Sequence, residues 1–133
     1  GTGAVGRFIL RLAKFAVNST RDHYRPVASD ILEIERDGPL EGFGPDIWVY
    51  RLGAHTAGSI GLKVRNAFFA GDTVFGFGSS IYPPFADREV EFPKAWSTIL
   101  ACGAEKIYPG HGRPFSISLL EKQYHKRFRD KSV

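Results

Sequence analysis

Three residues of this 133-residue chain have the types and settings that metal-dependent hydrolysis requires: His55, Asp72 and His111. Each follows a short apolar run. His55 lies in a turn of small residues after IWVYRL, Asp72 ends the run AFFA in a Gly-Asp pair, and His111 stands in YPGHG after KIY. The ends of strands are where side chains from separate segments converge, so this order predicts a shared site. Imidazole and carboxylate are ligand types of hydrolytic zinc. A carboxylate between two imidazoles also suits a bridge between two metals, which acidify water and polarise a scissile bond. The same residues also have a plain structural reading as turn formers, His111 bonding within its Gly-flanked loop and Asp72 capping a backbone group.

The stretches HTAGSIG, FFAGDTVF and IYPGHGRPF, in that order, resemble the C-terminal half of the metallo-β-lactamase superfamily. The first of them carries Ala57 where that family usually has Pro. The resemblance implies that His55 belongs to one metal's ligand set and His111 to the other's. It further implies that Asp72 bridges the two metals and orients the nucleophilic hydroxide, with zinc as the metal. Esters, thioesters, lactams and phosphodiesters are the substrate classes it implies. The family's His-x-His-x-Asp-His element is absent: the histidines are His23, His55, His111 and His125, and none forms it. Residues 1–17 look like the Gly-rich helix start that follows that element, so the resemblance covers about the second half of a family domain. The implied fold class is α/β (α+β): half of an αββα sandwich, a mixed sheet with helices on its outer face.

Half a sandwich leaves one face of its sheet in water. Phe68, Phe69, Ile60, Leu62, Val64, Ile47 and Val49 are the candidates for that face, a patch too large for a soluble monomer. The expected remedy is a homodimer or a complementing chain, and a two-fold dimer is the simplest closed assembly.

Composition bounds the rest. A content of 43% hydrophobic and 24% charged residues is ordinary for a globular domain, and residues 1–133 read as a single one. No apolar run approaches the roughly 20 residues of a membrane span, no signal peptide is visible, and cytoplasm is the expected compartment. The lack of Met marks residue 1 as an expected processing boundary. A single cysteine, Cys102, excludes an internal disulfide and a cysteine-rich zinc module. The formal net charge of +4 is concentrated toward the C-terminus, in KQYHKRFRDK. That segment reads as a solvated helix face, with an anionic partner or nucleic acid as the alternative. Three functions are therefore in view: a metal-dependent hydrolase, a catalytically silent binding module on the same fold, and an anion-binding module.

The elements that must position the site follow from periodicity. GTGAVG matches a dinucleotide fingerprint but has no strand before it, and the fingerprint works only when a strand delivers the glycines. Val5, Phe8, Ile9, Leu12, Phe15 and Ala16 predict an amphipathic helix. Residues 18–30, including His23, read as a surface loop. ILEIER (31–36) and IWVYRL (47–52) predict strands. Ser59–Val64 and Ala67–Ala70 predict a hairpin over Arg65-Asn66, with Asn66 in the left-handed conformation. Residues 73–92 read as a loop beside the site. Pro93 opens a helix with Trp96, Ile99 and Leu100 on one face, and Gly103 ends it. KIY (106–108) is a short strand, and Ser118 with Glu121 predicts a capping box for a last helix.

Overall fold

A computed structural model describes residues 32–44, 46–83 and 85–129. The chain divides into two units, Gly1–Glu33 and Ile34–Val133, and the second is described here. The expected N-terminal helix, the GTGAVG turn and the loop carrying His23 lie outside the described residues.

Six strands form one sheet in sequential order: β1 (Gly38–Pro39), β2 (Ile47–Arg51), β3 (Ile60–Val64), β4 (Ala67–Gly76), β5 (Lys106–Gly112) and β6 (Phe115–Ser116). All neighbours are antiparallel except β4 and β5, which run parallel. The parallel pair requires a crossover, and helix α1 (Phe92–Ala101) supplies it. Helix α2 (Ile117–Tyr124) follows β6 and passes into a π-helical turn, His125–Arg129. The described unit is thus an α+β fold with a mixed sheet. No helix among the described residues is long and apolar enough to cross a membrane.

Both helices pack on one sheet face. Phe68, Ala70 and Ile107 from the strands meet Phe92, Ala95, Trp96 and Ile99 from α1 and Leu120 from α2, all fully or almost fully buried. The apolar spacing in α1 buries one face, as its sequence predicts, and Gly103 after it has φ 76°. Phe68 therefore belongs to the helix side, contrary to the sequence reading. Its register partner Lys63 and the glycine beyond, Gly61, explain why: a Cβ at Gly61 would strike the Phe68 ring, so the missing side chain makes room for it. The opposite face carries Ile47, Val49, Ile60, Leu62, Val64, Phe69 and Tyr108, by the alternation of the pairing. Phe69 and Ile60 are exposed there at 44% and 41%, whereas Val49 is buried. Phe69 stacks on Tyr108 at 4.9 Å between ring centroids.

Three local expectations are corrected. Residues 32–36 form no strand. Side-chain bonds to β2 lie there instead: the Arg51 amide donates to Asp37 Oδ1 at 2.7 Å, and the Arg51 guanidinium donates to the Glu35 carbonyl. The β3–β4 hairpin does turn over Arg65-Asn66, but Arg65, not Asn66, has the positive φ, 55°. Asn66 is committed elsewhere, its carbonyl accepting from the Glu105 and Lys106 amides and its side chain donating to Glu105. The capping box is not formed: Ser116 is the N-cap, and its hydroxyl lies 2.8 Å from that of Ser118, which is already inside the helix.

Strand β4 is longer than AFFA suggests, and its extension is irregular. Pairing shifts occur between Phe69 and Gly71 and again between Gly71 and Phe75. From Gly71 to Phe75 the chain on β4 takes more residues than β5 takes from Pro109 to His111, so β4 bulges at Asp72, Thr73 and Val74. A bulge re-aims side chains that regular alternation would fix. Trp96, fully buried in α1, donates its indole N–H to the Thr73 carbonyl at 3.0 Å and pins the bulge to the helix layer. Trp96→Phe removes that bond to a buried residue's carbonyl and is expected to cost about 1–3 kcal/mol. Urea unfolding checks this, and an unchanged midpoint would show that the bond does not hold the bulge.

Candidate metal centre

The bulge lifts Asp72 out of the regular pleat and sets its carboxylate, 39% exposed, between two imidazoles. His55 Nε2 lies 3.9 Å from one carboxylate oxygen and His111 Nε2 lies 3.4 Å from the other. All three predicted site residues are therefore brought together, each imidazole facing its own oxygen of Asp72.

Local structure explains each position. His55 sits in a hydrogen-bonded turn: the Leu52 and Gly53 amides donate to the Ser59 carbonyl, and the Thr56 amide donates to the Ser59 hydroxyl. Ala54, beside it, is fully buried, and the His55 carbonyl accepts from the Asp87 amide at 2.9 Å. The turn is thus tied both to the core and to the long loop. The His55 ring stands 5.7 Å from Phe85, and only 17% of the side chain is exposed. His111 is more open, at 60%, and lies within β5 opposite Phe75 instead of in a turn after the strand. The Phe75 ring meets its imidazole edge-on at 5.0 Å.

Gly110 is the residue that sequence reasoning missed. A Cβ there would collide with Asp72 Oδ1 and with the backbone at Gly71. The carboxylate occupies the space where a side chain at position 110 would be. Gly71 itself has φ 51°, a left-handed conformation that glycine adopts without penalty. The signal was present in the Gly-Asp and Pro-Gly-His spellings, but their mutual contact is visible only once β4 and β5 are paired.

The donors fit a metal in kind. An imidazole nitrogen and a carboxylate oxygen sharing one tetrahedral zinc lie about 3.4 Å apart, given bonds near 2.0–2.2 Å. Both observed separations are long for a hydrogen bond. His55 Nδ1 is buried without a hydrogen-bond partner, which is unusual for a histidine kept only for structure. They fall short in number. Catalytic zinc takes three protein ligands, whereas each side of Asp72 offers one nitrogen and one oxygen. Among the described residues, no group of three or more His, Cys, Asp or Glu could by itself hold a metal ion. Cys102 adds nothing to the set: burial raises its thiol pKa, and it lies at the far end of α1. The C-terminal bases are partly engaged, with the Arg127 guanidinium 4.5 Å above the Tyr82 ring.

Gly110→Ala is expected to push the Asp72 carboxylate aside and part β4 from β5, at about 1–3 kcal/mol of overpacking. Thermal unfolding, with histidine side-chain NMR to follow the site, checks this; wild-type stability with unmoved His55 and His111 signals would refute the close approach.

No family model matches the sequence. Solved structures do. The chain is similar to an archaeal metallo-β-lactamase superfamily protein, ST1585 from Sulfolobus tokodaii, with TM-score 0.63 and 13% identity over 99% of this chain and 55% of that one. It is similar to the metallo-β-lactamase family protein TTHA1429 from Thermus thermophilus, with TM-score 0.58 and 17% identity, covering 91% of this chain and 47% of that one. A metallo-β-lactamase from Hirschia baltica gives TM-score 0.55 at 18% identity, over 81% of this chain and 51% of that one. The chain thus spans about half the length of the solved proteins it matches, and what it adopts is part of the metallo-β-lactamase fold.

Proposed function

We propose that this chain carries one share of the centre of a zinc-dependent hydrolase. His55 and His111 serve separate metal positions, Asp72 lies between them, and the remaining donors come from outside the described residues. The observation that supports this most strongly is the Asp72 carboxylate with one imidazole nitrogen facing each oxygen. A bound zinc would acidify its water and polarise the bond to be cleaved in an ester, thioester, lactam or phosphodiester. The chain's own part is to fix the two imidazoles through the 52–59 turn and β5, and to hold the carboxylate between them. His111 and Asp72, the more exposed members, face incoming water and substrate.

The partner follows from the same shortage. The sheet face bearing Ile60, Leu62, Val64 and Phe69 is covered, in this proposal, by polypeptide that carries the remaining share of the fold and its donors. Two features support that occupant: coverage of only 55% and 47% of the matched chains, and large apolar side chains exposed on the face. A second copy of this chain is the competing occupant.

Equilibrium dialysis against zinc, with metal analysis of the protein, tests the centre. Zinc is expected to bind, and His55→Ala, His111→Ala and Asp72→Asn each to weaken it by at least about tenfold, the effect that even outer-shell changes reach. His125→Ala serves as control. Equal weakening in the control, or no zinc bound by the unsubstituted chain, would sink the proposal. Sedimentation tests the covered face. The isolated chain is expected to associate, and Phe69→Lys or Ile60→Lys to disperse it. A wild-type chain that stays monomeric as its concentration rises would contradict a covering partner.

A further inference from the structure

Phenyl rings stand beside both imidazoles of the site. Phe77 is 59% exposed, although it lies only one residue beyond the end of β4. It is not a loose surface residue. The Ser80 amide donates to its carbonyl at 3.0 Å, Phe77 and Ser80 form a β-bridge, and Gly78 between them has φ 61°. A closed turn therefore presents the ring. The ring stands edge-on to Phe75 at 5.8 Å, and Phe75, nearly buried, stands edge-on to His111 at 5.0 Å. The other imidazole is backed by Phe85. Both candidate ligands are thus flanked by phenyl rings, and one line of rings leads from His111 to solvent.

We infer that Phe77 is a specificity residue, a fixed apolar anchor for substrates carrying an aromatic or other flat apolar group next to the bond cleaved. This rests on the reading of His55, Asp72 and His111 as the metal-holding residues and narrows the substrate class of that site. The physical ground is the cost of leaving a large ring in water while the backbone that carries it is held rigid. A ligand ring stacking on Phe77 removes that apolar surface from water with little ordering to be done. Offset or edge-on contact adds to the gain. A small acyl group or a bare phosphodiester would leave Phe77 exposed and gain nothing from it.

The test uses two carboxylates that differ by one ring, 3-phenylpropionate and propionate, titrated into the full chain with and without saturating zinc and followed by amide NMR. The zinc-equilibrated chain is expected to bind 3-phenylpropionate at least about tenfold more tightly, as one buried aromatic contact allows, with the largest shifts at Phe77 and Gly78. Phe77→Ser, at an exposed position, should reduce the preference to about twofold or less while leaving zinc affinity unchanged. Equal affinities for the two carboxylates would overturn the inference, as would a preference that survives in Phe77→Ser. So would a variant that changes only the association state in sedimentation, which would assign Phe77 to a protein interface. If zinc does not bind, the metal reading fails by that measurement alone, and the ring preference is still decided on the metal-free chain.

Discussion

One close approach organises this structure: the Asp72 carboxylate against the bare backbone of Gly110. Two parallel strands bring a Gly-Asp pair and a Pro-Gly-His triplet alongside each other, and only glycine at position 110 leaves room for the acid. The bulge in β4 turns Asp72 toward that space, and the Trp96 indole holds the bulge from the helix side. From this follow the position of His111, carried on the same stretch of β5, and the meeting with His55, whose turn is closed by Ser59 and tied to the loop at Asp87. Packing and polar bonding thus act on one short segment. The core beneath sets the height of the bulge, and the strand pairing sets its direction.

Much of the scaffold was legible in the chain's local chemistry. The β3–β4 hairpin follows from two apolar runs joined by a two-residue turn, and α1 follows from the spacing of Trp96 and Ile99 between Pro93 and Gly103. The convergence of His55, Asp72 and His111 was expected because each follows an apolar run. What was not legible depends on pairing. The β4 bulge has no signature in Thr73 or Val74 themselves and arises from register against β5. Phe68 and Phe69 are adjacent and chemically identical, so only register decides which of them enters the core. Arg65 took the left-handed place because Asn66 was needed to tie the start of β5. Residues 32–36 alternate as a strand does, yet Asp37 and the Arg51 guanidinium take up the hydrogen bonds that pairing would have used.

Under the proposed function, the shortage of donors and the exposure of the sheet have one physical origin. Among the described residues, each side of Asp72 has one nitrogen and one oxygen, and both helices pack on one face of the sheet, with Ile60 and Phe69 exposed on the other. In the proposed function, both go with the chain's spanning about half the length of the solved proteins it resembles. In that proposal, a polypeptide supplying the remaining layer would complete the ligand sets and cover Ile60 and Phe69 in a single act of assembly. The aromatic line at Phe75 and Phe77 is separate from that face in its chemistry, since it begins at an imidazole and not in the middle of the sheet.

In the proposed centre, Asp72 lies where a metal can be shared with an imidazole on either side. Anomalous diffraction at the zinc edge, from crystals of the chain grown or soaked with zinc, tests it most directly. Density is expected within about 2.0–2.2 Å of a carboxylate oxygen of Asp72 and of Nε2 of His55 or His111. Zinc found only at other histidines, or the side chains at 55, 72 and 111 turned away from one another, would contradict it.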